Sequence, residues 1–172
     1  MAEKKSQKSA EGCTPTGNYE ELNLETKVTV RSIAGWETGF ARKFDGVGDI
    51  HFTAGGNNRL SRAEIIGQVQ MGNPLFVGID GKGSHATLYI EDKATRLEIG
   101  FDTDDAEQNM LTDAKIKKLF DMKSFETFKK CFTDEIRTRA EKFAIIKAIK
   151  KLGLNDYAKI RFAEKYTGYM MQ

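Results

Sequence analysis

The side chains best suited to acid-base chemistry in this 172-residue chain are its two histidines, His51 and His85. With Ser84 and either Asp49 or Asp80 they could compose a hydrolytic triad, in which histidine takes the serine proton and the carboxylate orients the imidazole. A triad also needs a serine on a strained turn and an oxyanion hole. No motif for either is present, so we expect both histidines to be ordinary strand residues and expect no catalytic residue among them.

A second possibility is metal-dependent nuclease chemistry around Asp80. Phe76–Asp80, followed by a glycine turn and two further strands, resembles the opening hairpin of ribonuclease H-like folds. The resemblance implies a strand-borne aspartate that binds magnesium. Two-metal catalysis needs several convergent carboxylates, and Asp102, Asp104 and Asp105 are the other acidic candidates. The later βαβ elements of that fold are missing, so the nuclease is the third of our functional hypotheses.

Two glycine-rich stretches contain residues that can hold a phosphate. Residues 78–84 lack the spacing of a P-loop and precede a strand, so they predict a hairpin turn. Gly55-Gly56-Asn57-Asn58 is the better candidate, because it leads through Arg59 and Arg62 to the start of a helix. Exposed amides beside two arginines can hold a phosphate or an acidic side chain of a partner.

The alternative for this stretch is purely structural. Ser61-Arg62-Ala63-Glu64 has the pattern of a capping box. In that motif the serine oxygen accepts an amide of the first turn, and the glutamate reaches back to the amide of the cap residue. We favour this interpretation, in which Gly55–Asn58 is a turn, and keep the four turn residues as candidates for contact with a partner.

Lysines form the other candidate site. Residues 104–172 carry fifteen basic and eleven acidic residues, whereas the whole chain has a net charge of only +2. Lys115, Lys117 and Lys118 lie on one predicted helix, and Lys123, Lys129 and Lys130 follow close to two phenylalanines. Such a face can bind nucleic acid, although it is more often a solvated helix surface.

The distribution of glycine separates the elements that must position these residues. Twelve of the sixteen glycines lie between Gly35 and Gly100, and only Gly153 and Gly168 follow. Glycine supplies turns and weakens helix interiors. We therefore predict an α+β protein with a flexible tail (residues 1–26), a β-rich body (27–102) and a helical region (103–172).

Within the body, the pattern predicts a small, strongly bent antiparallel sheet or partial barrel with one embedded helix. Period-two alternation and turn residues mark the strands. The predicted strands begin near Lys27 and then cover Trp36–Phe44, Asp49–Thr53, Leu75–Asp80, His85–Glu91 and Arg96–Phe101. The embedded helix begins after Ser61.

Three to four helices are predicted in the helical region. Thr112 or Asp113 can cap the first, and Ser124 the second. The second helix either breaks near Thr133-Asp134 or continues to Leu152. Asn155 or Asp156 can cap the last helix, which ends before Gly168.

Two cysteines, Cys13 and Cys131, make no disulfide framework or zinc motif, and no long apolar segment occurs. These features favour a cytoplasmic protein without cofactor, metal or membrane contact, or a component of a virus particle assembled in the cytoplasm. The polar tail would be unstructured alone and is suited to reaching a neighbouring subunit.

The first functional hypothesis is therefore a non-enzymatic assembly protein that contacts other protein subunits through its tail and β body. A nucleic-acid-binding accessory protein that uses the basic helices is the alternative.

Overall fold

A computed structural model describes residues 22–171 and confirms the α+β class. The strands are β1 (Lys27–Ser32), β2 (Thr38–Ala41), β3 (Asp49–Phe52), β4 (Asn57–Ser61) and β5 (Leu88–Ile90). The helices are α1 (Arg62–Gln70), α2 (Pro74–Val77), α3 (Lys93–Glu98), α4 (Asp113–Phe120), α5 (Phe125–Glu135), α6 (Arg139–Lys151) and α7 (Tyr157–Thr167). None of the helices within residues 22–171 is long and apolar enough to cross a membrane.

The strands form two small antiparallel sheets. In the first, β1 lies between β4 and β5, with Val30 opposite Asn58 on one side and Ile90 on the other. The second sheet is the β2–β3 hairpin, where Phe40 faces Ile50. The sheet is therefore small and antiparallel, as predicted, and it does not close into a barrel.

The predicted strand Leu75–Asp80 is wrong. This segment begins with helix α2, because Pro74 occupies its first turn and the Asn73 side chain accepts the Leu75 amide at 3.1 Å. Proline at the first helical position needs no amide partner and has a backbone angle suited to a helix. The Gly72-Asn73-Pro74 signal that ends α1 thus also starts α2.

The predicted strand Arg96–Phe101 is also wrong. Asp92 caps α3 by accepting the Thr95 amide at 2.9 Å, so the first residues of the predicted strand, Arg96–Glu98, belong to a helix. Arg96 is buried and donates to Asp102 at 2.9 Å. The body consequently has two short helices, α2 and α3, in addition to the embedded helix that the sequence predicts.

The C-terminal helices are confirmed. Ser124 caps α5 and Asp156 caps α7, which ends at Gly168 in the left-handed conformation with φ of 75°. Of the two alternatives for the long apolar pattern, the break is correct. The chain leaves α5 after Glu135, and Thr138 caps α6.

Two apolar clusters form the core, one within the β body and one mainly among the C-terminal helices. The first contains side chains from β1, β3, β4, α1 and β5, including Val30, Phe52 and Ile90. The second contains residues of α4–α7 and also Ile33 and Tyr89 from the body. Strand β5 therefore contributes to both clusters, and Ile33, which follows β1, belongs to the second. Residues 1–21 of the predicted tail, with Cys13, lie outside the described residues.

Candidate binding surface

The predicted loop Gly55–Arg59 is shorter in the structure. Gly55 has φ of +67°, and its amide donates to the Ala34 carbonyl at 2.8 Å. Gly56 closes the turn by donating to Thr53 at 2.9 Å. The next residues already belong to β4, because Asn57–Ser61 pair with β1. Of the predicted loop residues, Gly55 and Gly56 therefore belong to the turn, whereas Asn57, Asn58 and Arg59 lie in a strand.

The amides at the start of α1 have acceptors within the chain. The donor and acceptor pairs are Ser61 N to Asp45 Oδ2 (3.1 Å), Arg62 N to Thr26 O (3.0 Å), Ala63 N to Leu24 O (3.0 Å) and Glu64 N to Ser61 Oγ (3.0 Å). A helix start binds anions through amides that lack partners. These amides are occupied, which favours the structural interpretation of this helix start.

The two arginines of the predicted site also have partners. Arg62 donates from Nε and Nη2 to Asp92 Oδ2, at 3.2 and 3.0 Å. Arg59 donates to the Lys27 carbonyl at 2.8 Å and remains exposed. Gly55 lines a cavity between the end of β1 and helices α4 and α6, and neither arginine contributes to the lining of that cavity. The structure therefore does not combine the turn and the arginines into one anion site.

Glu64 departs from the predicted capping box. Ser61 plays its expected part, but the Glu64 carboxylate accepts the amides of Lys43 (3.1 Å), Phe44 (2.7 Å) and Asp45 (3.0 Å). The Gln68 side chain donates a further bond at 2.8 Å, and Glu64 is 0% exposed. Glu64 therefore fastens the loop between β2 and β3, not the start of its own helix.

The electrostatics of Glu64 follow from these bonds. Burial by itself raises the pKa of a carboxyl group, because it disfavours the charged form. The bonds from Gln68 and from the amides of Phe44, Asp45 and Lys43 act in the opposite direction and outweigh burial, so the pKa of Glu64 is lowered from 4.5. The carboxylate is therefore charged at neutral pH.

The loop held in this way exposes apolar side chains. Phe44 is 59% exposed and Val47 is 104% exposed. The Phe44 ring lies on Gly67 of α1, where an added Cβ would be only 1.8 Å from Cε2 of the ring. Met71 caps the C-terminal end of α1, four residues after Gly67, and is 60% exposed. We call Phe44, Val47 and Met71 the Phe44 surface.

The predicted lysine site divides into bonded and exposed side chains. Lys115 Nζ donates to Asn109 Oδ1, and with Lys118 it lines a cleft of about 210 Å³ that also contains Glu135. Lys117 and Lys118 are exposed, and among residues 22–171 neither forms an ion pair. Within this described range, Lys117 and Lys118 therefore carry unpaired positive charges on the surface of α4.

The geometry of Asp80 is that of a turn residue. Its Oδ1 accepts the amides of Lys82 at 2.8 Å and Ser84 at 3.0 Å. Burial would raise the pKa of Asp80, but the bonds from Ser84 and Lys82 lower it overall. Within the described part of the chain, no three histidine, cysteine or acidic side chains are grouped so that they could hold a metal ion.

The histidines differ in their surroundings. His51 is exposed on β3, whereas His85 is buried and its Nδ1 lies 2.8 Å from Glu141 Oε1. His85 also has φ of 59°, which is uncommon outside glycine. The Thr138-x-x-Glu141 pattern is that of a capping box, but no local pattern indicates that Glu141 also contacts His85, because the two residues are 56 positions apart. The contact joins the β body to α6.

No known protein family, curated protein or solved structure matches this chain.

Proposed function

We propose that this protein is a non-catalytic component of a larger protein assembly and that the Phe44 surface contacts another protein chain. One observation carries the proposal: a fully buried carboxylate, Glu64, holds the loop whose Phe44 and Val47 side chains are largely exposed. The proposal includes a virus-particle component as one form of such an assembly.

The energetics of the loop support a binding role. Burying a carboxylate is unfavourable unless hydrogen bonds compensate for the lost water, and here three amides and Gln68 do so. The bonds fix the backbone that bears Phe44. A preordered aromatic side chain loses little conformational entropy on binding, and aromatic residues often dominate the energy of protein interfaces. An exposed apolar group held in this way is suited to protein contact.

Sedimentation of the full chain over a wide concentration range, together with isolation of the tagged chain from its native cells, tests the proposal. We expect either self-association or recovery of a partner. The double variant Phe44→Ser, Val47→Ser should abolish whichever association is found. Ile79→Ser is the matched control, because Ile79 is 61% exposed on another loop. A monomer at every concentration with no recovered partner contradicts the proposal, as does equal loss in the control.

A second candidate function is nucleic-acid binding, favoured by the exposed charges of Lys117 and Lys118. Binding through phosphate contacts weakens steeply with salt, because it releases counterions. Fluorescence anisotropy with single-stranded and duplex oligonucleotides at low salt tests this function. Lys117→Glu with Lys118→Glu should abolish binding, whereas Lys82→Glu, an exposed residue of the body, should not. Absence of binding by the unmodified chain excludes this function.

The geometry of residues 22–171 adds no support to the nuclease hypothesis.

A further inference from the structure

A pocket of about 360 Å³ lies where the two parts of the protein meet. Its walls are the end of β1, the Ala54-Gly55 turn, and the facing sides of α4 and α6. It is separate from the Phe44 surface, which lies on α1 and the β2–β3 loop. Ligand pockets in proteins commonly enclose about 300–1,000 Å³, so this one has room for a small organic molecule.

Small residues create the space. Ala34 and Gly35 follow β1, Gly55 forms the turn, and Ala144 and Ala148 lie on α6. Larger side chains at Gly55 or on α6 would occupy the volume between the sheet and the helix, whereas Gly35 packs directly against the Phe143 ring. Ile33, Leu111 and Phe143 supply the larger apolar lining. The interior of the pocket is therefore suited to an apolar group.

The charged residues of the pocket are mainly basic. Arg31, Lys147 and Lys151 line it, against a single acidic residue, Asp113. Lys151 pairs with Asp113 at 2.7 Å, which neutralises that carboxylate. Lys147 has no ion-pair partner within residues 22–171, and its Nζ lies 3.7 Å from the position that a Cβ on Gly55 would take.

Arg31 is the third cation. Its Nε lies 3.2 Å from Glu91 but lacks the alignment of a hydrogen bond, and its guanidinium carbon is 5.8 Å from the centre of the Tyr89 ring. Glu91 nevertheless balances the charge of Arg31, as Asp113 balances that of Lys151. Among residues 22–171, Lys147 therefore supplies the unpaired positive charge of the pocket.

We propose that this pocket binds a small organic anion: one negatively charged group on a compact apolar body. The apolar body fits among the alanines and Phe143, and the anion lies beside Lys147. An apolar lining with a few placed polar groups is the usual composition of a small-molecule site, and charge complementarity selects an anion over a neutral molecule.

The test is an NMR titration of the ¹⁵N-labelled full chain with octanoate and, separately, with octanol, which has the same apolar body without the charge. Octanoate should shift the amides of Gly35 and Gly55 in a saturable manner, and octanol should bind at least about tenfold more weakly. Lys147→Glu should weaken octanoate binding about tenfold or more. Lys130→Glu, an exposed charge reversal on α5, is the matched control and should have no effect.

A second variant, Ala144→Phe, fills the pocket and should abolish octanoate binding in a chain that remains folded by circular dichroism. If it does not fold, Lys147→Glu alone decides the outcome. Equal binding of octanol and octanoate, equal binding by Lys147→Glu and the unmodified chain, or shifts confined to the Phe44 surface would each overturn the proposal. So would the absence of any saturable shift up to about 10 mM octanoate.

Discussion

The carboxylates of Glu64 and Asp45 join the β2–β3 loop to the start of α1. The Glu64 carboxylate accepts the Asp45 amide at 3.0 Å. In return, the Asp45 carboxylate accepts the amide and the hydroxyl of Ser61, the residue that caps the helix bearing Glu64. Each carboxylate thus satisfies donors of the other segment, so the loop and the helix start depend on one another.

Removing the charge of Glu64 should destabilise the protein. Glu64→Gln keeps the shape but replaces one acceptor oxygen by a donor that faces backbone amides. We expect the free energy of unfolding to fall by about 2–4 kcal/mol, because buried donors lose their partners. Urea denaturation followed by circular dichroism measures the change. Glu98→Gln, an exposed change at the end of α3, is the control; similar losses in both variants would show that the buried bonds contribute little.

The same carboxylate should make stability depend on pH. The pKa of Glu64 is lower in the folded protein than its ordinary value of 4.5, so the folded state favours the charged form. Its stabilising contribution is complete above pH about 4.5 and is lost as the pH falls through the folded pKa. The difference in unfolding free energy between the unmodified chain and Glu64→Gln should therefore shrink with acidification. Urea denaturation at a series of pH values tests this, and a constant difference from pH 7 to pH 3 would contradict it.

The buried contact between His85 and Glu141 should also contribute to stability. His85→Ala leaves Glu141 Oε1 without this partner, and we expect a loss of about 1–3 kcal/mol. His51→Ala is the matched control, because His51 is the only other histidine and is exposed. Thermal and urea denaturation give the two values. A loss for His85→Ala no greater than that for His51→Ala would mean that the contact is energetically neutral.

Gly67→Ala should separate stability from binding. The added methyl group must displace the Phe44 ring, which is half-exposed and can move, while alanine improves the helix by about 1 kcal/mol. We expect nearly unchanged stability together with loss of the protein contact assigned to the Phe44 surface. Gly72→Ala is the opposite case, because it meets no neighbour but has φ of +70° and should lose about 1 kcal/mol. Denaturation and sedimentation distinguish the variants, and retained association by Gly67→Ala would argue against a role for Phe44.

Local signals in the sequence predicted most of the helical region correctly. Ser124 and Asp156 cap helices through bonds to amides three residues ahead, and Gly168 ends α7 with a left-handed backbone. These features depend on side chains within one or two turns of the helix end, so a short stretch of sequence contains the whole interaction.

Two predicted strands failed because short apolar runs suit either a strand or a buried helix. At residues 74–77 and 93–98 the deciding groups are Asn73 and Asp92, which cap helices by accepting Leu75 and Thr95 amides. Asn and Asp are common both at helix caps and in turns, so the local pattern does not distinguish the two roles. The pocket beside Lys147 is different, because its walls come from elements that are distant in the chain and no local pattern predicts it.

The clearest comparison is between two copies of one local pattern. Ser61-x-x-Glu64 and Thr138-x-x-Glu141 both have the pattern of a capping box, and Glu141 does accept the amide of Thr138 at 2.9 Å. Glu64 instead binds amides of residues 43–45, while Asp45 takes the amide of Ser61. The sequence by itself determined that a helix begins after Ser61, and it left open whether a separate helix begins near Thr138. Only the tertiary structure decided which amides each carboxylate binds, because a loop about twenty residues away along the chain supplies competing donors at the surface of α1.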